Sequence, residues 1–203
     1  MIDWGKILIF IGVIGKPGAG KTTFTDFWNI YDNVGIIHID EIWDKICEKY
    51  FGIFFNINPK NKMKQPNNSI KKKIYSKKIT FDLLMFVKEI VIKKEIKNRI
   101  KQFEKNGCDI IILEDTFLIK YKKIYSMINK IFFIYRKKSY REYSIINRDK
   151  ISIESVDIME IPYKHNYLPK VKGKKVERIY NNGTLEDLEK IMQNKYNKVI
   201  KEI

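Results

Sequence analysis

Cysteine, histidine and long apolar runs are all scarce in this chain of 203 residues. Its two cysteines, Cys47 and Cys108, have no metal-ligand spacing and fit reduced thiols in a cytoplasmic protein. The two histidines, His38 and His165, cannot complete a zinc site with them at this spacing. Because no apolar run reaches about 18 residues, we expect no transmembrane helix and no membrane partner. The N-terminus lacks a basic segment, so we expect no signal peptide.

Acidic residues are too few to balance the basic ones. The chain has 40 lysine and arginine residues against 24 aspartate and glutamate residues, which gives a formal net charge of +16 at pH 7. This excess favours anionic partners such as nucleotides, phosphorylated cofactors or nucleic acid. Lysine is abundant along the whole chain, however, so a solvated surface without any partner explains the charge equally well.

A glycine-rich segment near the N-terminus reads G-x-x-x-x-G-K-T between positions 15 and 22. It follows an apolar run at residues 7–14 and precedes a predicted helix at residues 22–30, which is the context that a phosphate-binding loop requires. Glycines allow backbone N–H groups to approach phosphate oxygens closely. We therefore expect the loop to bind ATP, with Lys21 near the outer phosphates and the Thr22 hydroxyl on Mg²⁺. The residues expected at the nucleotide are Gly15, Lys16, Pro17, Gly18, Ala19, Gly20, Lys21, Thr22 and Thr23.

Apolar segments that alternate with predicted helices define the fold class. After the first strand, further strands are predicted at residues 35–40, 108–115, 130–135 and 176–180. Such alternation is typical of a parallel sheet with right-handed crossovers. We therefore predict an α/β fold with a parallel five-stranded sheet flanked by helices.

A helical insertion is predicted between the second and third strands. Residues 79–103 carry apolar side chains at helical spacing, interrupted at Lys88, and predict an amphipathic helix. Residues 56–78, which are rich in asparagine, proline and lysine, predict a loop. The resulting boundaries are 1–41 and 106–203 for the core, with a lid at about 137–170, and 42–105 for the insertion.

Four charged residues are candidates for the site, because ligands of such sheets lie beyond the carboxyl ends of the strands. Asp40, at the end of the second predicted strand, is the candidate that orients an acceptor hydroxyl and takes its proton; a helix N-cap is the alternative role. Glu114 and Asp115 end the third strand, and we favour Asp115 as the carboxylate that helps to hold the metal. Arg148 is the candidate that neutralises charge on the transferring phosphoryl group.

Four stretches of the chain, 11–24, 37–42, 148–152 and 179–188, carry recognisable motifs. The first contains the phosphate-binding loop. The second is similar to I-D-A-D-x-I, the third to R-D-G-x-S and the fourth to I-x-N-N-G-T-x-E-x-L. In this combination and order, they resemble the dephospho-CoA kinases, which phosphorylate the ribose 3′-hydroxyl of dephospho-CoA in the final step of coenzyme A biosynthesis.

The resemblance implies a P-loop kinase core and a phosphotransferase that uses ATP and Mg²⁺, with dephospho-CoA as the small-molecule substrate. It implies that Asp40 is the catalytic aspartate, that Arg148 is the lid arginine and that Asn182 and Gly183 lie beside the adenine. The helical insertion would then hold the CoA moiety.

Departures from the family pattern keep other functions open. His38 replaces the first aspartate of the family's paired acids, and the family's His-Pro and P-L-L-F-E motifs are absent. One alternative is a P-loop kinase for another small acceptor, such as a nucleoside, a nucleotide or a shikimate-like alcohol. A polynucleotide kinase or nucleic-acid-binding NTPase would account for the +16 charge. A nucleotide-binding regulator without turnover is the remaining alternative.

Overall fold

The computed structural model describes residues 8–55, 72, 76–163 and 175–202. Most of the loop predicted at residues 56–78, the residue His165 and the end of the predicted lid, 164–170, lie outside the described residues.

Five parallel β-strands form a single sheet. They are β1 (Ile9–Gly15), β2 (Val34–His38), β3 (Ile110–Glu114), β4 (Lys130–Tyr135) and β5 (Lys175–Tyr180). Their order in the sheet is β2-β3-β1-β4-β5, which confirms the predicted five-stranded parallel sheet. Because β1 pairs with both β3 and β4, the segment that follows Gly15 leaves the sheet at its centre.

Helices connect the strands and cover the sheet. They are α1 (Lys21–Asp26), α2 (Ile39–Phe55), α3 (Lys78–Lys105), α4 (Lys122–Met127), α5 (Lys138–Asp149), α6 (Ile153–Glu160) and α7 (Leu185–Ile200). Short 3-10 turns occur at Phe27–Ile30, Leu118–Lys120 and Ile161–Tyr163. None of the described helices offers an apolar stretch long enough to cross a bilayer.

The sheet is buried on both faces, as expected for parallel strands. On one face, Ile92 and Ile96 of α3 pack with Leu113 of β3. On the other, Phe24 and Trp28 pack against Phe132 of β4, with ring centroids 5.7 Å and 6.2 Å from it. Together the two layers hold the carboxyl ends of β1, β2 and β3 at one edge of the sheet.

The end of the second strand differs from the prediction in a way that affects the site. The second strand ends at His38, and Asp40 lies in the first turn of α2 rather than at the end of a strand. Acidic residues at positions 40 and 41 favour a helix start here, because they complement the positive end of the helix dipole. The helix predicted at residues 79–103 is present as α3, which runs for 28 residues, and the charge of Lys88 is buried beside carboxylate partners.

Helix α7 begins where the sequence indicates. Thr184 accepts a hydrogen bond from the Asp187 backbone N–H at 3.2 Å, and Asp187 accepts one from the Thr184 backbone N–H at 2.9 Å. This reciprocal capping box satisfies two backbone donors that the helix itself cannot. It fixes the turn that follows Asn181, whose amide contacts the glycine-rich loop.

Candidate active site

The glycine-rich loop connects β1 to α1 and depends on glycine at three positions. Gly18 and Gly20 have φ angles of +72° and +89°, in the left-handed region that other residues rarely adopt. A Cβ atom at Gly15 would lie 2.6 Å from the Ile134 carbonyl oxygen, and one at Gly20 would lie 2.3 Å from Asn181 Nδ2. Glycine is therefore required here by the loop conformation and by close packing against β4 and Asn181.

Three side chains hold this loop in place: one directly after β4, one in α5 and one directly after β5. The Asn181 amide donates a hydrogen bond to the Ala19 carbonyl at 2.8 Å. Arg141 donates one to the Pro17 carbonyl at 3.2 Å, and Arg136 contacts the Gly18 carbonyl at 3.5 Å. The loop conformation is thus fixed by groups that follow it by more than a hundred residues.

An ion cluster joins the loop to the end of α6. The Glu160 carboxylate accepts hydrogen bonds from buried Arg141 and, at 3.0 Å, from Lys16. Burial alone would raise the pKa of the Glu160 carboxyl, but its hydrogen bonds from Arg141 and Lys16 hold the pKa below its ordinary value. The Lys16 side chain therefore has a carboxylate partner within the protein.

The Glu114 carboxylate, at the end of β3, faces the start of α1. The Thr22 hydroxyl contacts Glu114 Oε2 at 3.4 Å, and Lys21 Nζ lies 3.7 Å from Glu114 Oε1. His38 Nδ1 lies 2.9 Å from Glu114 Oε2, and this hydrogen bond raises the pKa of His38 despite the opposing effect of burial. A hydroxyl and a carboxylate side by side are hard oxygen ligands that suit Mg²⁺.

This donor set fits a magnesium ion held jointly by protein, phosphate oxygens and water. Among the described residues, no group of three or more histidine, cysteine, aspartate or glutamate side chains is arranged to hold a metal ion by itself. Mg²⁺ in nucleotide sites characteristically binds through one or two protein ligands and completes its shell with phosphate and water. The pair of Thr22 and Glu114 meets that requirement.

A second group of charges lies beside the loop and centres on Lys88 of α3. Lys88 Nζ lies 2.6 Å from Asp40 Oδ1 and 3.1 Å from Asp115 Oδ2. Asp115 is fully buried, and its carboxylate also accepts hydrogen bonds from the Tyr121 hydroxyl at 3.3 Å and from the Phe117 backbone N–H. Asp40 and Asp115, from two different elements, are thus joined through one ammonium group.

The three groups have different protonation tendencies. Burial, with the nearby charge of Asp40, raises the pKa of Asp115 to about 7 against the opposing charge of Lys88. Burial also disfavours the ionised form of Asp40, but the charge and hydrogen bond of Lys88 hold its pKa below the ordinary value. Burial would lower the pKa of Lys88, but the two carboxylates raise it above its usual range. Asp40 is therefore an anion and Lys88 a cation at neutral pH.

A pocket of about 260 Å³ opens between the loop and the two helices that follow β2. Asp40 and Lys88 line it together with Pro17 of the loop and the rings of Trp43, Phe117 and Tyr163. The Asp40 side chain faces the open pocket, and 57% of its surface is therefore exposed. The protein around the pocket nevertheless keeps most bulk water away from its carboxylate. A molecule in this pocket would lie between a carboxylate and the phosphate-binding loop.

Comparison with known proteins gives structural matches alone. No family model matches the chain, and no curated protein matches its sequence. TT1252 from Thermus thermophilus matches with a TM-score of 0.66 at 16% identity, over 95% of this chain and 98% of that one. The dephospho-CoA kinase from Campylobacter jejuni matches with a TM-score of 0.53 at 20% identity, over 95% and 98%. A deoxyadenosine kinase from M. mycoides matches with a TM-score of 0.54 at 13% identity, over 94% and 100%.

The fold is that of the P-loop kinases. The resemblance that the sequence motifs indicate is confirmed at this level, since a dephospho-CoA kinase is among the structural neighbours. At identities of 20% or less, the likeness establishes the fold, and the choice of acceptor depends on the chemistry of the site.

Within this P-loop kinase fold, some of the predicted site residues lie together and others do not. Asp40 lies at the pocket, and Lys21 and Thr22 lie beside Glu114. Asp115 instead contacts Lys88, so its predicted metal role stays a prediction, and the geometry favours Glu114. Asn182 accepts a hydrogen bond from the Lys137 backbone N–H at 2.9 Å, which places it near the start of α5.

Arg148 is not part of the described contacts around the loop. Its side chain is 68% exposed and pairs with the neighbouring Asp149 at 2.6 Å. The arginines that do contact the loop are Arg136 and Arg141, which the sequence motifs do not single out. The lid role of Arg148 stays a prediction.

Proposed function

We propose that the chain is a kinase that transfers the terminal phosphoryl group of ATP to a hydroxyl group of a small molecule bound in the pocket. The position of the Asp40 carboxylate carries this proposal. Asp40 and Pro17 of the phosphate-binding loop line the same pocket. A bound hydroxyl would therefore lie between a proton acceptor and the triphosphate.

On the nucleotide side, the loop amides and Lys21 would bind the phosphates. Thr22 and Glu114 would hold Mg²⁺, which neutralises charge on the phosphate oxygens. Lys21 is only 10% exposed and lies 3.7 Å from Glu114, so its ammonium group is preset near the position of the outer phosphates. Lys21 and the metal ion would thus supply positive charge at the phosphates without a residue from another protein.

On the acceptor side, Asp40 orients the hydroxyl and receives its proton. The acceptor oxygen forms a bond to the terminal phosphorus, the bond from that phosphorus to the bridging oxygen breaks, and ADP leaves. Because Lys88 keeps Asp40 ionised, the carboxylate is available as a hydrogen-bond acceptor at neutral pH. Phosphoryl transfer depends mainly on such positioning and on charge neutralisation.

For the acceptor itself, we propose dephospho-CoA, phosphorylated at its ribose 3′-hydroxyl. The four motif stretches support this choice, as does the structural likeness to a dephospho-CoA kinase. A second cavity of about 650 Å³ between α2 and α3 adds support, because Lys45 and Lys94 line it and would suit the anionic remainder of the substrate. Neither Cys47 nor Cys108 forms a disulfide, which fits a cytoplasmic location for this biosynthetic step.

A nucleoside is the second candidate acceptor. The pocket at Asp40 is small for a ligand site, since such sites usually measure about 300–1,000 Å³. The rings of Phe117 and Tyr163 stack there with centroids 5.4 Å apart, and flat aromatic surfaces suit a base. A nucleoside kinase is also among the structural neighbours.

An acceptor panel tests the proposal. The protein is incubated with ATP and Mg²⁺ and with dephospho-CoA, several nucleosides, a short oligonucleotide or no acceptor, and the products are identified by mass spectrometry. We expect CoA from dephospho-CoA. A phosphorylated nucleoside alone would favour the second candidate, and a phosphorylated oligonucleotide alone would favour a polynucleotide kinase. ATP hydrolysis without any phosphorylated acceptor would contradict the proposal.

A further inference from the structure

The middle of α3 contains a lysine where its apolar face should continue. Lys88 is 5% exposed and lies between Met85 and Ile92, both of which belong to the core. An apolar residue at position 88 would extend that face. The charge at this position therefore needs a reason other than packing.

Stability alone gives a weak reason for a buried ion pair. Removing charges from water is costly, and well-packed apolar side chains often stabilise a core as well as a buried pair does. Asp115 adds to this desolvation cost, since it is fully buried. Lys88 and Asp115 together would be replaceable by apolar residues if they only filled space.

The contacts of Lys88 lead from the rigid sheet to the pocket. Asp115 directly follows β3 and is fixed by the Phe117 backbone N–H and the Tyr121 hydroxyl. Lys88 binds Asp115 on one side and Asp40 on the other. The Asp40 side chain is otherwise 57% exposed in the first turn of a helix, where a short carboxylate has several accessible rotamers.

We propose that Lys88 is a positioning residue for phosphoryl transfer: its ammonium group, fixed by Asp115, holds the Asp40 carboxylate towards the acceptor. This inference rests on the proposed kinase function and deepens it. An ammonium group has three N–H donors, and the two carboxylates account for two of them. Lys88 also lines the pocket, so its ammonium group lies beside the region where the acceptor would bind.

The test compares steady-state kinetics of four proteins with the acceptor that the wild type uses. Lys88→Met removes the charge while keeping the length of the side chain, and Lys88→Arg keeps the charge. Lys97→Met is the matched control, since Lys97 lies exposed on the same helix. We expect Lys88→Met to lower kcat by about 100-fold, the effect of a misplaced catalytic group. The KM for ATP should be unchanged, Lys88→Arg should recover part of kcat, and Lys97→Met should match the wild type.

A structural role for Lys88 predicts a different pattern. If Lys88 only neutralises Asp115, then Lys88→Met should cost nothing once Asp115 carries no charge. We therefore compare Asp115→Asn with the double variant Lys88→Met/Asp115→Asn. The inference predicts that adding Lys88→Met still lowers kcat, although the double variant unfolds at a higher temperature than Lys88→Met alone. Equal kcat values for the two Asp115→Asn proteins would overturn it.

The two proposals fail in distinguishable ways. A wild-type protein that binds ATP but phosphorylates no acceptor overturns the kinase function and this inference with it. An active wild type whose Lys88→Met variant keeps its kcat overturns the inference alone. A variant with lost ATP binding as well as lost kcat would also contradict it, because Lys88 would then act on the nucleotide site or on the fold.

Discussion

Replacement of Gly20 by alanine tests whether the loop has the conformation that phosphate binding needs. At Gly20, φ is +89°, and a left-handed residue with a Cβ atom costs about 1–2 kcal/mol. The added Cβ would lie 2.3 Å from Asn181 Nδ2, so the hydrogen bond of that amide to Ala19 must break, at a net loss of about 1 kcal/mol. We expect the free energy of unfolding to fall by about 2–3 kcal/mol.

Thermal unfolding followed by circular dichroism measures this loss. For a chain of this size, the melting temperature should fall by roughly 4–12 °C, and ATP affinity should fall with it because the loop is displaced. Asn181→Ala is the matched variant: it loses the same hydrogen bond without strain at position 20, so the double variant should be less destabilised than the sum of the two single ones. A Gly20→Ala protein with wild-type stability and wild-type ATP affinity would refute this account of the loop.

Two further predictions concern charged groups of the site. Lys21→Ala should abolish turnover, while the melting temperature should stay close to that of the wild type because the ion pair of Lys21 with Glu114 is long, at 3.7 Å. Retained activity would contradict the phosphate-binding role of this lysine. Glu160→Gln should lower stability by about 1–3 kcal/mol at neutral pH, because buried Arg141 loses its charged partner. The pKa of Glu160 is depressed in the folded state, so its contribution is fully present above the ordinary value of 4.5 and disappears as the pH falls through the folded-state pKa. The free energies of unfolding of the wild type and Glu160→Gln, measured from about pH 3 to pH 7, should therefore converge in acid. A difference that stays constant with pH would contradict the ion pair between Glu160 and Arg141.

Much of the fold could be predicted because its signals are local in the sequence. Apolar runs such as residues 7–14 and 108–115 indicate buried parallel strands, and the capping box of Thr184 and Asp187 indicates a helix start. The phosphate-binding loop is likewise a continuous segment, and steric restrictions require glycine at its glycine positions. These features depend on neighbours in the chain and so are visible without a structure.

The partners of the charged side chains could not be predicted, because they come from distant elements. Lys88 contacts Asp40 and Asp115, which are 48 and 27 positions away. The interruption of the apolar pattern of α3 was the one signal that Lys88 is unusual. Two adjacent acids after a strand do not reveal which of them faces the nucleotide, and only the packing of β2 and α1 brings Glu114 beside His38 and Thr22.

The most direct test of the central claim compares wild type and Asp40→Asn under two measurements: ATP affinity by calorimetry and the rate of phosphoryl transfer to the acceptor in a single turnover. If Asp40 orients the hydroxyl and takes its proton, the rate should fall by about 10²–10⁴-fold while ATP affinity stays nearly constant. Weaker ATP binding with an unchanged rate per bound nucleotide would show instead that Asp40 only stabilises the first turn of α2.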